Sequence, residues 1–253
     1  MNSSDQTDIA GHLIIVTGAA SGIGSALTTF FLSKGAIVAA CDKNEEVLAD
    51  LKDHSRNPNL HVFGVDFRIE QSINGCVSEI EDKLGVVHAA VNCVGILGEN
   101  GMKAEDVDIQ DFDLVYQINL RGALIFTKTL LKGMSARGYG RILHLSSISG
   151  KEGNPLLVSY SATKAGLIGM VKSIGKEYAT TGVTINALAP ALIETPMAES
   201  FSESQLTSLK SKIPMNRLGT VDEVALLAAW IVSPACSFTT GFAFDLSGGR
   251  ATY

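Results

Sequence analysis

Short β-branched runs alternate with helical patterns along almost the whole chain, and this alternation restricts the fold more than any other feature. Residues 12–17 form an apolar run typical of a buried strand. Apolar residues then recur at helical spacing from Ile23 to Phe31, and Gly35 is placed to end that helix. Such alternation favours parallel strands joined by right-handed crossovers, with helices on both faces of the sheet. Further strands are predicted over residues 36–41, 61–65, 86–91, 141–145, 183–188 and 242–246.

The predicted fold class is α/β, a single Rossmann-like domain with a doubly wound parallel sheet over residues 1–253. Long helices are expected over about 110–137 and 158–179, and no linker, repeat or low-complexity stretch divides the chain. The alternation lapses over about 191–220, where only residues 203–212 are helical in pattern. An insertion of this length in a compact fold is typical of a lid or binding loop, and a surface excursion without function is the alternative.

Charge and terminal composition exclude several classes of protein. The net charge of −6 and the lack of a basic run argue against nucleic-acid binding. The polar, acidic N-terminus is unlike a signal or transit peptide, and the longest apolar run, residues 224–232, is too short to span a membrane. The four cysteines lack metal-ligand spacing. We therefore expect a soluble, cytoplasmic protein with reduced, buried thiols and no metal site.

A glycine-rich turn lies between the first predicted strand and the first predicted helix. Glycines there let the backbone turn tightly and approach a pyrophosphate, while the helix N-terminus offers free N–H groups. The spacing is GxxxGxG rather than GxGxxG, so the position after a buried strand carries most of the argument. The predicted cofactor contacts of this turn are Gly18, Ser21, Gly22, Ile23 and Gly24.

Asp42 ends the second predicted strand, where a carboxylate can accept both hydroxyls of an adenosine ribose and repel a 2′-phosphate. No Arg or Lys occupies the glycine turn, so NAD is predicted rather than NADP. The alternative is that Asp42 caps the following helix. Asp66, Asn92 and Gly95 follow the next two strands, at the sheet edge where ligands bind. The alternatives are that Asp66 caps a helix and that Asn92 ties two strands together.

Tyr160 and Lys164 are four residues apart, which places both side chains on one face of the predicted helix. A cation beside a phenol favours the phenolate, which moves its pKa towards the range of an acid–base catalyst. Ser147 lies thirteen residues before Tyr160 and would add a hydroxyl. A lone YxxxK pair is usually a solvated helix face, so the remaining motifs decide the interpretation.

Taken together, these residues resemble the short-chain dehydrogenase/reductase family over essentially the entire chain. The order of motifs is Thr17 to Gly24, Asp66, Asn92 to Gly95, Asn119, Ser147, Tyr160 with Lys164, Asn186 to Pro190, and Thr195. The resemblance implies a general acid–base role for Tyr160, a Lys164 that lowers the Tyr160 pKa and holds the nicotinamide ribose, and a Ser147 that orients the substrate oxygen. It also implies that Asn119 anchors a proton relay, and that Pro190, Ile193 and Thr195 lie at the nicotinamide.

Two positions depart from the family pattern. Cys93 stands where Asn is common, so a side chain that stabilises the backbone is replaced. Ala191 stands where Gly is usual after Pro190, and because Ala enters positive φ less freely, this loop is expected to approach the nicotinamide differently.

The segment after Ser147 is polar for a pocket wall. If its side chains face the ligand, a hydroxylated substrate is favoured over an acyl chain or a steroid, and solvent exposure of the segment is the alternative. Arg250, near the C-terminus, offers a partner for a carboxylate. This stretch and the tail are similar to family members that act on sugars and deoxy-sugar acids. The predicted substrate contacts are Ser149, Glu152, Asn154 and Arg250.

The predicted function is NAD-dependent interconversion of a secondary alcohol and a ketone, on a sugar or a 2-keto-3-deoxy sugar acid. A 3-oxoacyl thioester reductase using NADPH is one alternative, against which Asp42 argues. A non-catalytic NAD-binding regulator is another, although it predicts a broken set of catalytic residues. The family commonly forms homotetramers, and small residues on one helix face favour close packing there or against the chain's own sheet: Ala162, Gly166, Gly169 and Ser173.

Overall fold

A computed structural model describes residues 8–199 and 201–253 of the chain. Seven parallel strands form one sheet in the order β3-β2-β1-β4-β5-β6-β7. The order changes direction between β1 and β4, which opens a crevice at the carboxyl ends of the strands. The predicted fold class is confirmed, and strand ends differ from the predicted ones by only one or two residues. The strands are β1 Leu13–Thr17, β2 Ile37–Asp42, β3 Leu60–Gly64, β4 Val87–Asn92, β5 Gly140–Leu145, β6 Val183–Pro190 and β7 Ala243–Leu246.

Helices cover both faces of the sheet. Successive residues of a strand point to opposite faces, so Ile15 packs into one core with α3, α5 and α7, and Ile14 into the other with α1, α2 and α10. Strands buried on both faces explain the continuous apolar runs of the sequence. The helices are α1 Gly22–Ser33, α2 Glu45–Ser55, α3 Glu70–Leu84, α4 Ile109–Tyr116, α5 Gly122–Ala136, α6 Ile148–Glu152, α7 Val158–Glu177, α8 Pro196–Glu199, α9 Glu203–Ser211 and α10 Val221–Val232.

The helix predicted over about 110–137 is interrupted by a π-helical segment, Gln117–Arg121, between α4 and α5. No Gly or Pro marks the segment itself, so the sequence pattern could not reveal it. At its end, a Cβ on Gly122 would lie 2.6 Å from the carbonyl oxygen of Phe67. This close approach joins the start of α5 to the loop after β3, and π segments of this kind are frequent at functional sites.

One expected loop is a helix in the structure, and the helix predicted over residues 203–212 is confirmed as α9. The polar stretch after Ser147 forms the short helix α6, with the Ser147 side chain accepting a hydrogen bond from the Ser149 amide at its N-terminus. Within residues 191–220, α9 begins at a capping box formed by Ser202 and Gln205. None of the helices in the two described ranges is both long and apolar enough to cross a membrane.

Candidate active site

Two cavities meet at the carboxyl ends of the strands. The larger, about 410 Å³, extends from the glycine turn across the ends of β2, β3 and β4, and we call it the cofactor cavity. The smaller, about 120 Å³, lies beside α6 and α7, and we call it the substrate cavity. Ile23 and Thr195 line both. Predicted residues lining the cofactor cavity are Gly18, Ser21, Gly22, Ile23, Gly24, Asp42, Asp66, Gly95 and Thr195. Those lining the substrate cavity are Ile23, Ser147, Ser149, Asn154, Tyr160, Pro190, Ile193, Thr195 and Arg250.

The glycine turn is shaped by close backbone contacts. Gly18 has a φ of +69°, and a Cβ on Gly24 would lie 2.1 Å from the Gly18 carbonyl oxygen. Only glycine fits both positions. Ser21 precedes α1, and its side chain does not cap the helix. The first-turn N–H groups are therefore not satisfied by a capping side chain, so this cradle fits the pyrophosphate of a dinucleotide.

Asp42 reaches back to the glycine turn rather than capping α2. Its carboxylate accepts hydrogen bonds from the backbone N–H of Ala20 and of Asn44, both at 3.1 Å. Asn44 itself caps α2 through the Val47 amide. The helix-cap alternative for Asp42 is therefore wrong, and the carboxylate lies on the wall of the cofactor cavity.

Two cationic side chains that were not predicted from the sequence line the cofactor cavity together with Asp42 and Asp66. Arg68 forms an ion pair with Asp66 at 2.5 Å, and this contact is the main cause of the lowered Asp66 pKa. The Asp66 side chain is not the cap of α3, because Ile69 occupies that position. Lys43 follows Asp42 and also lines the cavity. Lys43 could have been predicted at this cavity because it directly follows Asp42 in the sequence. No feature of the sequence indicated that Arg68 lies there.

Asn92 lies behind the cavity wall. Its side-chain oxygen accepts a hydrogen bond from the Thr17 hydroxyl at 2.7 Å, and its nitrogen lies 3.2 Å from Nδ1 of His144. Asn92 thus ties β1, β4 and β5 together, which was the alternative interpretation of this residue. Complete burial lowers the pKa of His144 to about 3, so the imidazole is neutral.

Tyr160 and Lys164 lie one turn apart on α7, as predicted. The Lys164 ammonium is 5.6 Å from the centre of the Tyr160 ring and donates to the carbonyl oxygen of Leu145 at 2.7 Å. Lys164 lines neither cavity, but its ammonium lies directly behind Gly95 on the wall of the cofactor cavity, since a Cβ on Gly95 would lie 3.0 Å from Nζ. Burial of the ammonium lowers the pKa of Lys164 to about 8.

The pKa of Tyr160 moves in the direction opposite to that expected from the sequence. Burial raises this pKa, and a hydrogen bond with Ser147 opposes the increase. Desolvation of the phenolate therefore outweighs the hydrogen bond from Ser147 in this site. The Ser147 hydroxyl is the contact that favours the ionised phenol.

Asn119 is fully buried within the π segment. Its side chain accepts from the Ile96 amide at 2.8 Å and donates to the Ile96 carbonyl oxygen at 2.9 Å. It also donates to the Thr163 hydroxyl on α7 at 3.2 Å. Asn119 thus joins the chain after β4 to the helix that carries Tyr160 and Lys164.

The backbone amides at both departures from the family pattern are hydrogen-bonded. The Cys93 amide donates to the Thr17 carbonyl oxygen, and burial raises the pKa of its thiol to about 12. Ala191 does not adopt a positive φ, and its amide donates to the Leu246 carbonyl oxygen at 3.0 Å. The φ of Ala191 thus agrees with the limited freedom of Ala, and a different approach of this loop to the nicotinamide stays a prediction.

The four predicted substrate contacts form one hydrogen-bonded cluster. Arg250 donates to Asn154 at 2.8 Å, Asn154 donates to Ser149 at 2.7 Å, and Arg250 also pairs with Glu152 at 2.8 Å. Glu152 is the one of the four that does not line the substrate cavity. Leu97, Phe201 and Leu209, which sequence reasoning missed, add an apolar wall.

Comparison with known proteins identifies relatives over nearly the full length. A family model described as Enoyl-(Acyl carrier protein) reductase matches residues 18–250. The 2-dehydro-3-deoxy-L-rhamnonate dehydrogenase (NAD(+)) of Sphingomonas sp. (strain SKA58) is 39% identical over 244 residues, covering 96% of this chain and 97% of that protein. The 3-oxoacyl-(acyl-carrier-protein) reductase FabG of Rickettsia prowazekii (strain Madrid E) is 35% identical over 244 residues, with 96% and 98% covered. A solved structure titled "Crystal structure of gox2181" matches with a TM-score of 0.93 at 28% identity, covering 97% of each chain.

Proposed function

The chain belongs to the short-chain dehydrogenase/reductase family, and on this premise we propose that it interconverts a secondary alcohol and a ketone with NAD. The proposed substrate is a small hydroxylated compound, such as a sugar or a 2-keto-3-deoxy sugar acid. One observation carries the proposal: Ser147 and Tyr160 line a small cavity that meets the cofactor cavity at Ile23 and Thr195.

In the proposed oxidation, ionised Tyr160 accepts the proton of the substrate hydroxyl. Ser147 hydrogen-bonds the same oxygen and favours the phenolate. Bound NAD supplies the hydride acceptor. Lys164, in its charged form, stabilises the phenolate and holds the ribose past Gly95, and Asn119 fixes the chain around Lys164 and provides the relay position.

The proposed cofactor contacts divide by position. The uncapped start of α1 receives the pyrophosphate, with Gly18, Ser21, Gly22, Ile23 and Gly24 around it. Asp42 and Asp66 bind the adenosine, and Asn92 supports this end indirectly through the strands. Pro190, Ile193 and Thr195 hold the nicotinamide, and residues 191–220 act as the lid, since Phe201 and Leu209 line the substrate cavity.

Asp42→Asn tests the preference for NAD. We expect the KM for NAD to rise about 10-fold, because a charged hydrogen bond to the ribose weakens. The KM for NADP should fall, since Lys43 and Arg68 line the same cavity and the repelling carboxylate is gone. A wild-type enzyme that uses NADP better than NAD would contradict the proposal.

A substrate panel decides between the proposed function and its closest alternative. We expect NAD-linked oxidation of 2-dehydro-3-deoxy-L-rhamnonate and related aldonic acids, and weak activity on acetoacetyl-CoA with NADPH. The reverse result would assign the protein to the thioester reductases, as in its relative from Rickettsia prowazekii. No turnover at all, with tight NAD binding, would favour a regulator.

We also propose that the protein is a homotetramer and that it is located in the cytoplasm. Ala162, Gly169 and Ser173 are exposed on α7, whereas Gly166 packs against Leu120 of the same chain. The exposed small residues support contact with a second copy. Light scattering of the purified protein measures the number of chains in the assembly, and we expect four.

A further inference from the structure

The substrate cavity has a single charged residue in its lining, within the part of the chain that the structure describes. That residue is Arg250, whose side chain is only 6% exposed. The cavity of about 120 Å³ equals roughly four water volumes, so it suits a small ligand. Apolar side chains form most of the remaining wall: Leu97, Leu157, Leu192, Phe201 and Leu209.

The hydrogen bonds around Arg250 leave donors, rather than acceptors, for a ligand. Arg250 Nη2 donates to Asn154 Oδ1 at 2.8 Å, and Asn154 Nδ2 donates to Ser149 Oγ at 2.7 Å. Because Ser149 Oγ is already an acceptor here, its own proton is free to donate. Arg250 Nη1 donates to no group of the described residues. A site that offers a guanidinium edge and a hydroxyl proton is suited to a carboxylate.

Glu152 holds the guanidinium from outside the cavity. Arg250 Nε donates to Glu152 Oε2 at 2.9 Å, and Glu152 does not line the cavity. The helix that carries Glu152 is anchored to the same C-terminal region, since Lys151 pairs with Asp245 at 3.1 Å and accepts a hydrogen bond from the Tyr253 hydroxyl at its carbonyl oxygen. Glu152 and Asn154 are therefore positioning residues.

Resting on the proposed dehydrogenase function, we infer that Arg250 and Ser149 bind the carboxylate of a small hydroxy acid whose other end lacks hydroxyl groups. The carboxylate takes the Nη1 edge of Arg250 and the proton of Ser149. The end of the hydroxy acid that lacks hydroxyl groups packs against the apolar wall that contains Phe201 and Leu209. A neutral ketone or a long thioester leaves the guanidinium edge unpaired in a nearly closed site, which is unfavourable.

Arg250→Gln, assayed with NAD on 2-dehydro-3-deoxy-L-rhamnonate and on its C1 carboxamide, tests this inference. We expect the KM for the acid to rise about 30- to 100-fold, as for loss of a charged hydrogen bond, with kcat changed less than about threefold. The carboxamide should be a poor substrate of both proteins, with equal kcat/KM in each. Arg250→Lys should recover part of the affinity for the acid, and Lys83→Gln, which removes an exposed cation on α3, should behave as wild type.

The outcomes separate this inference from the function on which it rests. An acid KM that does not change in Arg250→Gln overturns the inference and leaves the dehydrogenase function standing. An equal loss on acid and carboxamide also overturns it, because Arg250 would then only anchor the tail. Wild-type activity restricted to acetoacetyl-CoA with NADPH would overturn the proposed function, and the inference with it.

Discussion

At the scale of single residues, the site is governed by the cost of burying charge. Tyr160 and Lys164 are 9% and 3% exposed, and burial disfavours the ionised form of each. The phenolate is harder to form and the ammonium is easier to deprotonate than in water. Ser147 is the group that offsets this cost for Tyr160.

Ser147→Ala should lower kcat for alcohol oxidation by about 100-fold, as does loss of one hydrogen bond to a reacting oxygen. It should also shift the rise of kcat/KM with pH towards higher pH, because the hydrogen bond that lowers the Tyr160 pKa is gone. Steady-state rates from pH 6 to 11 measure both effects. An unshifted profile would show that Ser147 does not act on the ionisation of Tyr160.

Lys164→Met should stabilise the fold while nearly abolishing turnover. The folded-state pKa of about 8 lies below the ordinary value, so the buried ammonium costs stability at every pH below 8. This cost diminishes as pH rises through 8 and is gone above about 10.4, where the unfolded lysine is neutral too. We expect a gain of about 1–3 kcal/mol at pH 7, since the lost hydrogen bond to Leu145 offsets part of it. Urea unfolding at pH 7 and pH 10 tests this, and a gain that did not shrink at pH 10 would contradict it.

At the scale of elements, the site depends on close contact between α6 and α7. A Cβ on Gly150 would lie 2.6 Å from the backbone carbonyl carbon of Lys164, so the two helices touch through their main chains. Ser146 reinforces this contact by donating its hydroxyl to the Lys164 carbonyl oxygen at 2.9 Å. The spacing of α6 from α7 therefore sets the position of Ser147 relative to Tyr160.

Gly150→Ala should separate these helices, with a loss of about 1–3 kcal/mol in the free energy of unfolding and a lower kcat. Gly75→Ala is the matched control, because nothing lies within 4 Å of a Cβ at this exposed position of α3. That variant should gain about 0.5–1 kcal/mol with unchanged activity. Equal stability of the two variants would mean that α6 adapts without cost.

Patterns within one element were predictable from the sequence, and contacts between elements far apart in the chain were not. Buried strands have a simple apolar pattern, and the spacing of Tyr160 and Lys164 is a property of one helix. The π segment around Asn119 has no such pattern. Arg250, Glu152 and Asn154 were predicted to contact one substrate, but the hydrogen bonds among them were not predicted, since they form because β7 lies beside β6, whose neighbour β5 leads into α6. Arg68 likewise reached the cofactor cavity without a sequence signal.

At the scale of the whole molecule, the exposed face of α7 is where we expect a second copy to bind. Gly169→Glu should reduce the mass of the assembly by half or more, because it places a charge where small residues would pack. Gly75→Glu is the control, because it adds the same negative charge at another exposed helical position, away from α7. Light scattering gives the mass, and thermal unfolding reports whether the chain itself stays folded. An unchanged mass would exclude this face from the interface.

The meeting of the two cavities at Ile23 and Thr195 divides the chain into parts that can change independently. The cofactor cavity draws mainly on the first half of the chain. The substrate cavity draws mainly on three short stretches: residues 146–157, residues 190–209 and Arg250. Exchange of these stretches between homologous enzymes should transfer the choice of substrate while the nucleotide preference stays with the recipient. Gene duplication followed by substitutions in these few positions is thus a short evolutionary route from one dehydrogenase to another.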